Sequence, residues 1–178
     1  MLDSCAAPGG KATALADTGA HVIAGDSRPA RAGLVAANAM RLEADVATLV
    51  ADATVPPFVH GSFDAVLVDA PCSGLGALRR RPDARWRIGP GDVRDLADLQ
   101  QRMLAACSLL VRPGGRLVYS VCTLTAAESV DHPVPDGFEP DDRRPSVGEW
   151  RAYRHGWRVL PQDADTDGMV VIRYRRIA

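Results

Sequence analysis

Leu2-Asp3-Ser4-Cys5-Ala6-Ala7-Pro8-Gly9-Gly10-Lys11 reads as a short strand, a glycine-rich turn and the first residues of a helix. Small side chains and paired glycines let backbone approach a ligand closely, and a helix N-terminus offers free N–H groups to it. In an open α/β sheet, ligands sit in the crevice outside the carboxyl ends of the strands, so the stretch suits a nucleotide-like cofactor. It lacks the G-x-G-x-x-G spacing, which disfavours a dinucleotide.

Outward from this turn, strand-like apolar runs alternate with helical patterns, the mark of a mostly parallel sheet wrapped by helices. Strands are expected at 2–4, 21–25, 48–51, 65–68 and 116–120, with 157–160 and 169–174 closing the sheet. Residues 29–42 and 92–110 are expected as helices; in the second, Leu96, Leu99, Met103, Cys107 and Leu110 recur at helical spacing. Pro113-Gly114-Gly115 turns the chain into the next strand. The stretch 131–150, rich in Pro, Asp and Arg, has no periodicity and reads as a loop. The first strand starts almost at Met1, so its upstream half is expected to be missing.

Acidic residues fall at the strand ends. Asp26 closes the second strand about 20 residues beyond the glycine turn, where a carboxylate can accept from both ribose hydroxyls of a nucleoside. Asp52 closes the third, placed to meet an adenine amino group. The fourth runs into Asp69-Ala70-Pro71-Cys72-Ser73-Gly74, and the fifth delivers Val121-Cys122-Thr123 to the same edge. Two thiols and a carboxylate are thus expected beside the cofactor. Cys107, on the apolar face of a helix, is expected in the core.

The four cysteines form no C-x-x-C pair, so no metal site is expected. At 178 residues, 47% hydrophobic and 24% charged, the chain has the profile of one soluble domain. No apolar run approaches the roughly 18 residues that span a bilayer, and no signal peptide is evident, which predicts a cytoplasmic protein without a membrane partner. A net charge of −1 does not advertise a nucleic-acid binder, yet Arg79, Arg80, Arg81, Arg85 and Arg87 cluster beside the Cys72 segment.

Three segments in order, CAAPGGK at 5–11, DAPCSGLGALRRRPDARW at 69–86 and YSVCT at 119–123, resemble the RNA 5-methylcytosine methyltransferase family (Nol1/Nop2/Sun), above all the bacterial 16S rRNA cytosine-C5 methyltransferases of the Sun/Fmu type. The likeness covers about residues 2–128, with a weaker echo in Asp165-Thr166-Asp167-Gly168. It implies a Rossmann-like S-adenosylmethionine-dependent methyltransferase fold with an antiparallel last strand, one catalytic domain over 1–178, and RNA, 16S rRNA in particular, as partner. By position it implies that Cys5, Ala6, Ala7, Pro8, Gly9, Gly10 and Lys11 line the cofactor, that Asp26 holds its ribose with Arg31 nearby, and that Asp52 meets its adenine. Asp69 then belongs to the catalytic centre as well as the cofactor pocket. Cys122 is the nucleophile and Cys72 assists product release.

The chemistry requires such residues. Carbon 5 of cytosine is a weak nucleophile until a thiolate adds at carbon 6 and turns it into an enamine-like carbon. The target base must leave its stack to reach the pocket. Arg79–Arg81 and Arg85 are expected to contact phosphate, and Trp86 either offers a stacking surface or anchors the core. The resemblance also associates such domains with an N-terminal RNA-binding extension, which, with the first strand at Leu2, is expected to be absent here. Two other readings stay open: a methyltransferase acting on another substrate, and a truncated cofactor- or RNA-binding remnant without activity. Asp69-Ala70-Pro71-Cys72 differs from the Asn/Asp-Pro-Pro-aromatic tip that an exocyclic-amine enzyme would need.

Overall fold

The computed structural model describes residues 1–177. In chain order the elements are β1 (Leu2–Asp3), α1 (Gly10–Asp17), β2 (Val22–Asp26), α2 (Pro29–Arg41), β3 (Val46–Val50), β4 (Phe63–Asp69), α3 (Ala84–Arg87), α4 (Pro90–Ser108), β5 (Val111–Val121), β6 (Phe138–Pro140), β7 (Arg151–Tyr153), β8 (Gly156–Val159), α5 (Pro161–Ala164) and β9 (Met169–Arg176). The strands form one sheet in the order β3-β2-β1-β4-β5-β9-β8-β7, with β6 also on β9. The first five are parallel; β9 runs antiparallel to β5, and β8 and β7 continue that antiparallel wing.

Strand order reverses between β1 and β4, so the crevice at their carboxyl ends is where such a sheet holds a ligand. Each face of the sheet is covered. Ala12 of α1 and Val35 of α2 pack with Val22 and Ala24 of β2. On the other face Leu104, Cys107 and Leu110 pack against Val66, Val68, Leu117 and Tyr119. Cys107 is fully buried, as its helical position predicts.

Local chemistry sets the helix boundaries. α2 begins at Pro29 and α4 at Pro90, the position where proline's missing N–H is harmless. At α4 the Asp92 carboxylate also accepts the Gly89 N–H at 2.8 Å, satisfying an orphan donor of the first turn. β5 carries a bulge: Phe63 pairs with Val111, but Ala65 pairs with Arg116. Pro113-Gly114-Gly115 therefore lies inside a distorted strand rather than ahead of one. A Cβ on Gly115 would stand 2.8 Å from the Asp64 carbonyl, so only glycine fits.

The wing departs from the expectation. Residues 138–140, inside the stretch read as loop, form β6 against β9, anchored by the buried Phe138. β7 was likewise not expected. Both strands have three residues, too few for a period to show.

Candidate active site

The turn after β1 is fastened from both sides. Ser4 donates its N–H and its hydroxyl to the Leu67 carbonyl of β4, at 2.9 and 3.0 Å. Gly9 adopts φ +110°, and a Cβ there would meet the α2 backbone at Val35 at 3.2 Å. From α2, Asn38 donates to the Pro8 carbonyl at 2.8 Å and Arg31 to the Ala7 carbonyl at 3.1 Å. Arg31 thus grips the turn, and its Nε also donates to Asp26 at 3.0 Å. Asp26 is 5% exposed and takes the Arg28 N–H on its other oxygen. Asp52 lies just past β3 and is exposed, its Oδ1 accepting the Thr54 N–H and hydroxyl at 2.8 Å. It borders a narrow recess walled by Leu2, Ser4, Gly25, Pro56 and Phe58.

At the β4 end, Asp69 accepts from Lys11 at 2.7 Å and from the Ser120 hydroxyl of β5. Three residues beyond Asp69 and two beyond Ser120, the chain places Cys72 and Cys122 with their sulfurs 3.3 Å apart. The structure therefore brings together Asp69, Cys72 and Cys122, as the sequence predicts, and adds Lys11 to them through Asp69. The Cys122 thiol is pushed down to about 7, chiefly because the Cys72 S–H donates to it; burial and the Asp69 charge oppose this, while Lys11 assists. The same hydrogen bond, together with burial, raises the Cys72 thiol. Burial pushes Cys5 up to about 12 and Cys107 to about 11. Only Cys122 has substantial thiolate at neutral pH, which is what makes a cysteine reactive.

The arginine cluster behaves differently from the expectation. Arg79 pairs with Asp165 and Arg80 with Asp167, so these two clamp the 165–168 loop instead of standing free for phosphate. Gly168 donates its N–H to the Gly76 carbonyl at 2.8 Å, and Gly76 donates to the Cys122 carbonyl at 3.0 Å. Trp86 is 83% exposed, with the Arg85 guanidinium 5.5 Å from its ring, which rules out a core anchor.

Sequence reasoning passed over Asp3 and Glu128. Asp3 is wholly buried; one oxygen accepts the Cys5 N–H at 3.4 Å and the other has no partner. Burial pushes its carboxyl up to about 7, the Cys5 hydrogen bond opposing it. The signal was an acid inside a strand buried on both faces. Glu128 is also wholly buried, beneath the two cysteine loops. Its signal was a lone acid among small apolar residues six positions past Cys122. Among the described residues no group of His, Cys, Asp or Glu could hold a metal ion, and no helix is long and apolar enough to cross a membrane.

The family model of the 16S rRNA methyltransferase RsmB/F matches residues 1–174. The chain belongs to this family. Its relatives include the ribosomal RNA small subunit methyltransferase B of Vibrio vulnificus, 35% identical over 94% of this chain and 40% of that protein. The protein of the same name from Sodalis glossinidius is 36% identical, again over 94% of this chain and 40% of the relative. The chain thus spans about 40% of the length of these RsmB/F relatives. Among solved structures, NSun6 from Pyrococcus horikoshii, solved with SFG, aligns with a TM-score of 0.87 at 27% identity, over 99% of this chain and 47% of that one. A Burkholderia thailandensis N1-methyltransferase shares the fold at 19% identity and a TM-score of 0.58, over 99% of this chain and 70% of that one. The RsmB/F chain accordingly has the Rossmann-like fold of S-adenosylmethionine-dependent methyltransferases.

Proposed function

We propose that this RsmB/F-family chain transfers a methyl group from S-adenosylmethionine to carbon 5 of a cytosine in RNA, 16S rRNA being the substrate, with Cys122 as the nucleophile. The observation that carries the reading is the 3.3 Å contact between Cys72 and Cys122 beside the Asp69–Lys11 pair.

The residues at the sheet edge fit the cofactor. S-adenosylmethionine joins a cationic amine, a ribose diol and a flat base. The orphaned oxygen of Asp3 suits the amine, the buried carboxylate of Asp26 the diol, and the exposed Asp52 carboxylate just past β3 the amino group of the base. Open space above Gly10 leaves room for close approach to the helix N-terminus. Cys5, Ala6, Ala7, Pro8, Gly9 and Lys11 complete that wall, and Arg31 holds it against Asp26. When bound, S-adenosylmethionine supplies an electrophilic methyl group.

The thiol pair handles the base. Cys122 attacks carbon 6 as thiolate while Cys72 keeps the proton the two share. Electrons displaced from the 5,6 double bond pass toward N3, which takes a proton at the Asp69–Lys11 pair, and carbon 5 becomes nucleophilic. After carbon 5 is methylated and loses its own proton to solvent, N3 returns its proton to the Asp69–Lys11 pair and the carbon–sulfur bond breaks. The Cys72 S–H then donates to the departing Cys122 thiolate and eases its release. Trp86, Arg85 and Arg81 offer an exposed stacking and cationic surface for the RNA.

Incubation with S-adenosylmethionine and 16S rRNA fragments, then nucleoside mass spectrometry, tests this reading. The expected product is 5-methylcytidine, absent with Cys122→Ala. Methylation on another atom, or undiminished product from Cys122→Ala, would overturn it.

A further inference from the structure

Ladder pairing between β4 and β5 ends at Asp69 and Ser120, followed by one further hydrogen bond from Ala70. Both cysteines stand beyond it, Cys122 just past the Val121–Val170 pair with β9. The Gly76 N–H bond to the Cys122 carbonyl at 3.0 Å joins the two loops at the backbone, and the contact between their side chains needs a further tie.

Glu128 supplies one. Its Oε1 accepts the Ser73 N–H at 2.7 Å and the Gln100 side-chain amide at 3.4 Å. Its Oε2 accepts three hydroxyls, from Ser73 at 2.6 Å, Thr125 at 2.8 Å and Thr123 at 3.0 Å. Ser73 follows Cys72 and Thr123 follows Cys122, and the two hydroxyls also meet at 3.0 Å. Gln100 of α4 reaches the residue before Cys72, donating to the Pro71 carbonyl at 2.8 Å. The far end is fixed too: the buried Tyr119 hydroxyl donates to the Glu128 carbonyl at 2.7 Å. A buried carboxylate is tolerated only when its lone pairs are met, and here five donors converge on it.

We infer that Glu128 is a positioning residue whose carboxylate ties the two cysteine loops together and so keeps Cys72 and Cys122 in contact. Its value to the enzyme rests on the proposed role of Cys122, but the contact can be tested without RNA or cofactor. A failure here is then distinguishable from a failure of that reading.

The test uses the whole 178-residue chain. Iodoacetamide labelling of Cys122 against pH, resolved by peptide mass spectrometry, reports its ionisation; diamide-driven Cys72–Cys122 disulfide formation reports proximity. Lys11, Asp69 and Arg80, the charges that act on Cys122, stay in place in every variant. In wild type the labelling midpoint should lie near 7, and in Glu128→Ala it should move toward the ordinary 9.0. Labelling at pH 7 should then fall about 6-fold, a roughly 50-fold loss of thiolate being largely offset by the greater nucleophilicity of a more basic sulfur. Disulfide formation should slow by about 10-fold or more as the sulfurs separate. Glu128→Gln should largely restore both, because its amide oxygen still accepts the Ser73 N–H while two of the three hydroxyls, those of Ser73 and Thr123, rotate to accept from its NH₂. A folded Glu128→Ala with unchanged midpoint and disulfide rate would overturn the inference. If that variant does not fold, Ser73→Ala decides: it removes two of the inter-loop bonds and should shift both readouts part-way, and no shift would refute the tie.

Discussion

Replacing Asp3 by Asn tests whether the cofactor crevice holds a carboxylate at an energetic cost. Burial raises this carboxyl from 3.8 to about 7 in the folded chain. Between those values the folded chain keeps a proton that the unfolded chain has released, so stability falls as pH rises. Below 3.8 both states are protonated and the effect vanishes; above about 7 both are ionised and the loss is complete. Each pH unit inside the window is worth about 1.4 kcal/mol, so from pH 5 to pH 8 the wild type should lose about 3 kcal/mol relative to Asp3→Asn. The amide leaves the unpartnered position unfilled too, so the absolute difference is less informative than its slope. Urea unfolding of both proteins across that range gives the comparison. A constant difference across the range would refute the reasoning. The same carboxylate should ionise when a cationic amine binds beside it. Calorimetry at pH 6 in buffers of different ionisation enthalpy should then show proton release on S-adenosylmethionine binding by wild type and none by Asp3→Asn.

Three further outcomes follow from the geometry. Asp26→Ala should weaken S-adenosylmethionine binding by about 1–3 kcal/mol, the range for lost hydrogen bonds to a charged acceptor, read by calorimetry. Gly76→Ala places a Cβ 2.2 Å from the Gly168 carbonyl and 2.9 Å from that of Cys122. It should force the clasp open and lower methylation at temperatures where circular dichroism still shows a folded chain. Trp86→Ala, at an 83% exposed position, should leave the melting temperature and cofactor affinity unchanged. RNA affinity should drop by about 1–3 kcal/mol if one base stacks there, measured by filter binding.

The parallel half of the fold was legible because its signals are local. A glycine turn, acids at strand ends and a nineteen-residue helix each announce themselves within one window. The wing was legible in part: β8 and β9 were expected, while β6 and β7 have only three residues each, and β6 is held by pairing with the distant β9. The site divides in the same way. Asp26, Asp69, Cys72 and Cys122 sit at or just past strand ends, and the structure brings the last three together. What Arg79 and Arg80 do could not be seen, because Asp165 and Asp167 lie 86 and 87 residues away. Glu128 escaped notice because its donors come from three separated segments, and Asp3 because its burial depends on neighbours across the sheet.

The central claim, that Cys122 attacks the base and Cys72 frees it, is tested most directly by trapping the protein–RNA bond. Wild type, Cys122→Ala and Cys72→Ala would be mixed at micromolar concentrations with S-adenosylmethionine and a 16S rRNA fragment under single-turnover conditions, then run on a denaturing gel. Without the Cys72 S–H to stabilise the departing thiolate, Cys72→Ala should accumulate a slow-migrating protein–RNA band. Cys122→Ala should form none while still binding cofactor. An adduct in Cys122→Ala but not in Cys72→Ala would reverse the two roles, and its absence from both would contradict covalent catalysis by this pair.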